Sequence, residues 1–272
     1  MASYYTRNKF YANKNSFIFG VQKMIPKIIH FCWLSGEAYP ETIKNCLNSW
    51  KEKLFDYEII IWDTKRFDVN SVRWTREAFS AKKYAFAADY IRFYALYNYG
   101  GIYLDSDVEV VESFDEFLEN KCFFGFEYTA MPEAAVIGCE KGLNWCKRAL
   151  SFYEKRSFVN QDGSYNQIIA PLVLKYAFES EYKLPLIDEN KIISYSDIKI
   201  YPFDYFSPKN GFTGKVLKSV NTHTIHHFNS AWLKKGLKTS LKRKIHLLLI
   251  AVLGKKNYNK FLYKIRGKIS ER

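Results

Sequence analysis

KYAFAADYIRFYALYNYGGIYLDSDVEVV, residues 83–111, is the stretch that decides the fold. Phe86, Tyr90, Phe93 and Tyr97 recur at i, i+4, i+7 and i+11, the apolar stripe of a helix over residues 82–99, and Ala85, Ala87 and Ala88 add helix propensity. Asp89 and Arg92 lie three apart on a neighbouring flank, close enough to face a cleft together or to form an ordinary ion pair on the helix surface. Gly100 stands where a left-handed helix end is expected, and Gly101 lets the chain reverse into a strand, Ile102, Tyr103 and Leu104, that stops at Asp105. Side chains alternate along an extended chain, so Asp105 and Asp107 project to one side and Ser106 to the other. Two carboxylates that close repel unless a proton or a cation lies between them. A carboxylate set of this kind suits a hard, oxygen-preferring ion such as Mn²⁺ or Mg²⁺, which keeps positions open for phosphate oxygens.

Working outward, residues 25–33 form a β-rich apolar run ending on Trp33, residues 40–53 read as a helix with Pro40 near its first turn, and residues 57–62 as a second strand. Asp63, at that strand's end, either bonds a ribose or caps the following turn, with the cap favoured. A short helix over 114–119, strands over 122–126 and 134–138, and helices over 143–153 and up to Phe178 follow; 183–212 holds short β-like runs. Alternation of strand and helix predicts an α/β sheet covered on both faces, where ligands gather outside the C-terminal strand ends. Trp33, Asp63 and Asp105 all fall at such ends. Residues 127–132 form a polar turn where an acceptor can touch, and in the amide-rich 160–167 Asn166 is the candidate for sugar hydroxyls.

The run Ala88-Asp89, Arg92 and Gly100-Gly101-Ile102-Tyr103-Leu104-Asp105-Ser106-Asp107-Val108 resembles the sugar-binding DXD region of glycosyltransferase family 32, shared more distantly by the large clostridial glucosylating toxins. That resemblance implies a GT-A fold, Rossmann-like with a mixed sheet flanked by helices. It also implies a nucleotide-sugar donor such as a UDP-sugar, a divalent cation, and transfer with retained anomeric configuration to a hydroxyl of a surface polysaccharide or lipid-linked glycan. By the same resemblance, Trp33 matches an aromatic that stacks on the donor base, Asp89 and Arg92 grip the sugar with Tyr103 packed beside them, and Asp105 and Asp107 serve the metal and ribose. In the toxins a later segment carries a metal ligand, a hydroxyl three residues on and a Trp two further; His227, Ser230 and Trp232 stand at that spacing. His227 departs from the toxins' acidic residue, although histidine is a common form in family 32. Two other classes compete. A haloacid-type phosphohydrolase also uses a strand-end D-x-D but wants Thr or Val where this chain has Glu109; the other is a non-catalytic basic adaptor binding membrane or nucleic acid.

The bounds agree with a folded enzyme-sized domain: 272 residues, 48% hydrophobic and 18% aromatic, not a disordered chain. Five cysteines, Cys32, Cys46, Cys122, Cys139 and Cys146, include no C-x-x-C pair and read as reduced core residues of a cytoplasmic protein. The net charge of +13 is concentrated in residues 234–272, whose ten Lys and three Arg against one Glu carry +12 of it. Three units are expected: a poorly ordered leader over 1–23, with Met24 an alternative start; the transferase domain over 24–232; and a basic amphipathic tail over 233–272. In that tail, residues 245–253 are apolar but too short to span a bilayer, the composition of an interfacial anchor on the anionic inner face of a plasma membrane. A basic appendage packed on its own domain and a nucleic-acid arm are the other readings of the tail.

Overall fold

The computed structural model describes residues 25–129, 131–184, 191–211, 213–228, 245–254, 257–258 and 260–261. The first half runs β1 (Ile28–Cys32), α1 (Glu41–Lys53), β2 (Glu58–Trp62), α2 (Arg73–Ser80), α3 (Tyr84–Tyr99), β3 (Gly101–Leu104) and β4 (Val108–Val110). After a 3₁₀ turn at Asp115–Phe117 come β5 (Cys122–Phe126), β6 (Pro132–Cys139), α4 (Asn144–Glu154), α5 (Ala170–Phe178), β7 (Ile193–Tyr195), β8 (Ile198–Tyr201), α6 (Phe203–Phe206) and β9 (Thr224–His226). Seven strands make one mixed sheet in the order β2-β1-β3-β6-β5-β8-β7, and β4 pairs with β9 in a separate two-stranded ribbon.

Alternation along β3 sorts the two layers. Ile102 and Leu104 join a core shared with Trp50 of α1, Phe114, Phe117 and Phe206, while Tyr103 joins the larger core under α2 to α5, with Phe93, Trp74, Trp145 and Phe178. Each face of the sheet is therefore covered, as strand-helix alternation requires. Strands β3, β5 and β8 share a direction, because β3 and β5 each pair antiparallel to β6 and β5 pairs parallel to β8. The ends of β3, β5 and β8 and the start of β6 thus fall on one rim of the sheet.

The turn between α3 and β3 needs both glycines. Gly100 and Gly101 have φ of +68° and +99°, and a Cβ on Gly101 would stand 2.6 Å from the carbonyl oxygen of Ile28. His30 holds the same turn. Trp62 Nε1–H donates to His30 Nδ1 at 3.2 Å, which leaves the proton on Nε2 to donate to Gly100 O at 2.8 Å. Burial pushes this imidazole down to about 4, so it stays neutral and keeps that tautomer near neutral pH.

Two features fall outside the sequence reading, and a third gives form to the short β-like runs expected over 183–212. α2 occupies a stretch left without an element; it forms because Trp74 and Ala78, four apart, bury against α3 and Trp74 Nε1 donates to Phe86 O at 2.8 Å. β4 and β9 pair across more than a hundred residues, Val108 opposite His226. β7 and β8 form a hairpin that adds two strands to the sheet beside β5. All five cysteines are buried thiols, with Cys139 and Cys146 sulfurs 4.0 Å apart. No helix among the described residues is long and apolar enough to cross a membrane.

Candidate active site

The site grows from the end of β3. Asp105 N–H donates to Ala135 O at 2.9 Å, extending the β3–β6 ladder by one residue, and Val108 N–H returns to Asp105 O at 3.0 Å, so Ser106 and Asp107 form a tight turn into β4. β9, running antiparallel to β4, then sets His226 beside that turn. Asp105, Asp107 and His226 each offer one ligand atom, and the three atoms lie within 4.8 Å of one another. His226 Nε2 is 3.4 Å from Asp107 Oδ1, and its Nδ1 is 3.3 Å from Glu133 Oε2.

The imidazole at the aspartates is His226, not His227 chosen from sequence spacing. Successive residues of a strand point to opposite sides, and the β4–β9 register gives the inward side to His226. His227 turns outward, its Nε2 2.8 Å from Glu109 Oε2, while its backbone N–H donates to Asp107 O at 3.0 Å and its carbonyl accepts from Lys209 Nζ at 2.5 Å. Ser230 and Trp232 lie outside the described residues.

Behind the aspartates sits Arg92, projecting from α3. Its side chain is 5% exposed; Nη2 donates to Asp105 Oδ1 at 2.7 Å and lies 3.4 Å from Asp89 Oδ1, and the guanidinium covers the Tyr103 ring at 4.7 Å. Arg92 Nε is buried and has no hydrogen-bond partner among the described residues. The pair read as a possible surface ion pair is therefore the buried floor of the site, and Arg92 anchors Asp105 as well as Asp89.

Charge here is out of balance. Burial raises Asp105, with Arg92 opposing, and burial pushes Asp89 up to about 7, again against Arg92. Burial works to discharge His226, but the carboxylates of Glu133 and Asp107 outweigh it and hold its pKa well above the ordinary value. Four carboxylates, Asp89, Asp105, Asp107 and Glu133, share the cluster with the two basic groups of Arg92 and His226, so with every group ionised the acids outnumber the cations. Two carboxylates and an imidazole converging within ligand reach, backed by a carboxylate on the far ring nitrogen, fit a divalent ion.

Asp89 carries a pH signature. Its folded pKa lies above the unfolded value, so the native state binds more protons between about pH 4 and 7, and stability falls as pH rises through that window. Asp89→Asn is expected to raise stability at pH 8 by about 2–4 kcal/mol and by only about a third as much at pH 5, where the folded carboxyl is protonated but the unfolded one has begun to ionise. Thermal melts of both proteins at the two pH values check this; equal shifts at both would refute it.

The remaining predicted positions are less central. Trp33 is half-buried at the end of β1, its Nε1–H donating to Glu37 O at 2.8 Å and its ring 4.8 Å from that of Tyr39. Asp63 Oδ1 accepts from Lys65 N–H and Arg66 N–H at 3.0 Å each, the turn cap that the sequence favoured over a ribose contact. Asn166 is tied by its N–H to Phe158 O at 2.7 Å, next to Tyr165, whose ring lies under Lys83 at the start of α3. Because α3 doubles back directly into β3, its start faces the same rim as Asp105, and Asn166 accompanies it there. Glu133 and Ser207 were missed. Glu133 had one visible signal, a single acid in the apolar run PEAAVIGC of β6.

Residues 40–124 match a family described as "Glycosyltransferase sugar-binding region containing DXD motif". This stretch is similar to that family's DXD-containing sugar-binding region. It holds Asp63, Asp89, Arg92, Tyr103, Asp105 and Asp107, whereas Glu133 and His226 lie beyond it. Inositol phosphoceramide mannosyltransferase 3 of Schizosaccharomyces pombe is 35% identical over 168 residues, 59% of this chain and 47% of that protein. Mannosyl phosphorylinositol ceramide synthase SUR1 of Saccharomyces cerevisiae is 26% identical over 221 residues, 75% of this chain and 56% of that protein. The chain thus spans about half the length of these two curated relatives. Among solved structures, PaToxG glycosyltransferase overlays with a TM-score of 0.46 at 20% identity, covering 58% of this chain and 70% of that one.

Proposed function

We propose that this chain transfers a hexose from a nucleoside-diphosphate sugar to a hydroxyl of a glycan or lipid-linked glycan, retaining anomeric configuration. The observation that carries the proposal is the meeting of Asp105, Asp107 and His226 at the end of β3, two of them inside the DXD region and the third from β9. Mn²⁺, or Mg²⁺, held by these three would neutralise the charge that grows on the leaving diphosphate. Arg92 keeps Asp105 aimed into the site and, with Asp89, lines the floor against which sugar hydroxyls pack. Trp33 offers a ring face to the base, Asn166 an amide to the sugar, and Ser230 and Trp232 are assigned a hydroxyl and an indole N–H for the cation and phosphate.

Both curated relatives are named for mannosyl transfer to an inositol phosphoceramide lipid. Nucleotide-activated mannose therefore joins UDP-sugars as a first donor to test, and a lipid-borne head group joins polysaccharide as an acceptor class. Release of nucleoside diphosphate is expected from at least one donor of a nucleotide-sugar panel when Mn²⁺ is present, and none with EDTA. No release from any donor with either metal, acceptor included, would overturn the proposal.

The basic stretch 234–272 is assigned to an anionic membrane surface, peripheral on the inner face of the plasma membrane, with no role for nucleic acid. Within it, residues 245–254 are helical and expose Leu248 (64%) and Val252 (71%). Removing 234–272 is expected to abolish co-sedimentation with vesicles containing phosphatidylserine or phosphatidylglycerol while donor hydrolysis persists; retained sedimentation would refute the assignment.

A further inference from the structure

We propose that Glu133 is the residue that positions His226 for the cation, and that Ser207 and the Ala135 amide hold Glu133 for that task. The proposal rests on the cation reading above. Glu133 is 1% exposed, at the rim end of β6. One carboxylate oxygen accepts from Ala135 N–H at 2.7 Å, and the other accepts from Ser207 O–H and faces His226 Nδ1 at 3.3 Å.

An isolated acid at such depth is costly, so a buried carboxylate is kept only where its oxygens are satisfied. Here three donors converge on it, and their chain origins interlock. Ala135 gives its N–H to Glu133 and its carbonyl to Asp105 N–H at 2.9 Å, so one residue of β6 sets both carboxylates. Thr224 Oγ1–H donates to Phe206 O at 2.7 Å, which ties β9 to α6 and fixes His226 against Ser207 from the other side. The imidazole has little choice left: its Nδ1 is taken by Glu133, its ring lies 4.0 Å from that of Phe228, and Nε2 is the nitrogen presented to Asp107. A carboxylate on the distal nitrogen fixes the ring and makes the ligating nitrogen more basic. The chemical result is a preference for an ion that values nitrogen, Mn²⁺ over Mg²⁺.

The test uses the full chain and the metals alone. Mn²⁺ affinity is read by electron paramagnetic resonance, imidazole coordination by the ¹⁴N modulation of the bound Mn²⁺ signal, and Mg²⁺ affinity by competition. Glu133→Gln keeps volume but replaces one acceptor oxygen with a donor. It is expected to weaken Mn²⁺ binding about 10–100-fold, to narrow the Mn²⁺ over Mg²⁺ preference, and to lose the ¹⁴N modulation, as His226→Ala does. Ser207→Ala, milder for folding, is expected to lower Mn²⁺ affinity several-fold with the modulation weakened.

Should Mn²⁺ bind the wild type and fail on Asp107→Ala, while Glu133→Gln and Ser207→Ala bind within twofold and keep the ¹⁴N signal, Glu133 has no positioning role and the cation site stands. No Mn²⁺ or Mg²⁺ binding by the wild type overturns both.

Discussion

Asp107→Ala is expected to reduce metal-dependent release of nucleoside diphosphate by at least about 10³-fold in kcat, roughly 4 kcal/mol of barrier, while leaving the melting temperature unchanged or slightly raised. The two halves follow from the same geometry. Asp107 is one of two carboxylates facing the proposed cation position, so its loss would release the ion proposed to neutralise the leaving diphosphate. It also repels the neighbouring Asp105 while attracting His226, so relief of the first offsets loss of the second. His226→Ala is expected to match its effect on activity. His227→Ala, which breaks a partly exposed contact with Glu109, is expected to stay within about twofold. The reverse order of the two histidines, read in the same donor assay, would refute the register on which the site is built.

Those two histidines mark where sequence stops being sufficient. From Lys83 to Asp107 every determinant is local: a helical stripe, two glycines at a reversal and an alternation that sends Asp105 and Asp107 the same way. The mixed α/β sheet and the DXD turn are therefore legible one residue at a time. Which of two adjacent histidines points inward depends on how β9 registers against β4, with Val108 and His226 brought together by pairing rather than by pattern. Spacing toward Ser230 and Trp232 could not supply that information. Glu133 was hidden for the same reason, since the groups that satisfy it, Ser207 and His226, are 74 and 93 residues away in sequence. α2 was hidden differently. Its eight residues carry too few apolar positions to display a period, and it is stabilised by burying Trp74 against a helix that comes after it.

Arg92→Met is expected to destabilise the fold by about 3–5 kcal/mol, a drop on the order of 10 °C in melting temperature at pH 8, in addition to lowering donor turnover. The family resemblance implied that Arg92 grips the sugar, which alone would raise the donor KM and leave folding intact. In the structure the guanidinium is the buried counter-charge of two carboxylates, Asp105 at 2.7 Å and Asp89 at 3.4 Å, packed over Tyr103. Methionine fills much of the volume but leaves both acids without their cation, and a carboxylate stranded at that depth costs more than the pair contributes when intact. The cost should be recoverable from the other side. Adding Asp89→Asn removes one stranded charge, so the double variant should be more stable at pH 8 than Arg92→Met alone by more than the 2–4 kcal/mol expected for Asp89→Asn in the wild type, an excess of at least about 1 kcal/mol. At pH 5, where Asp89 is protonated, that excess should shrink toward zero. Strictly additive single effects at both pH values, or an Arg92→Met protein that melts normally and shows only a raised donor KM, would return Arg92 to the sugar-binding role alone and leave Asp105 to be oriented by its ladder bond to Ala135.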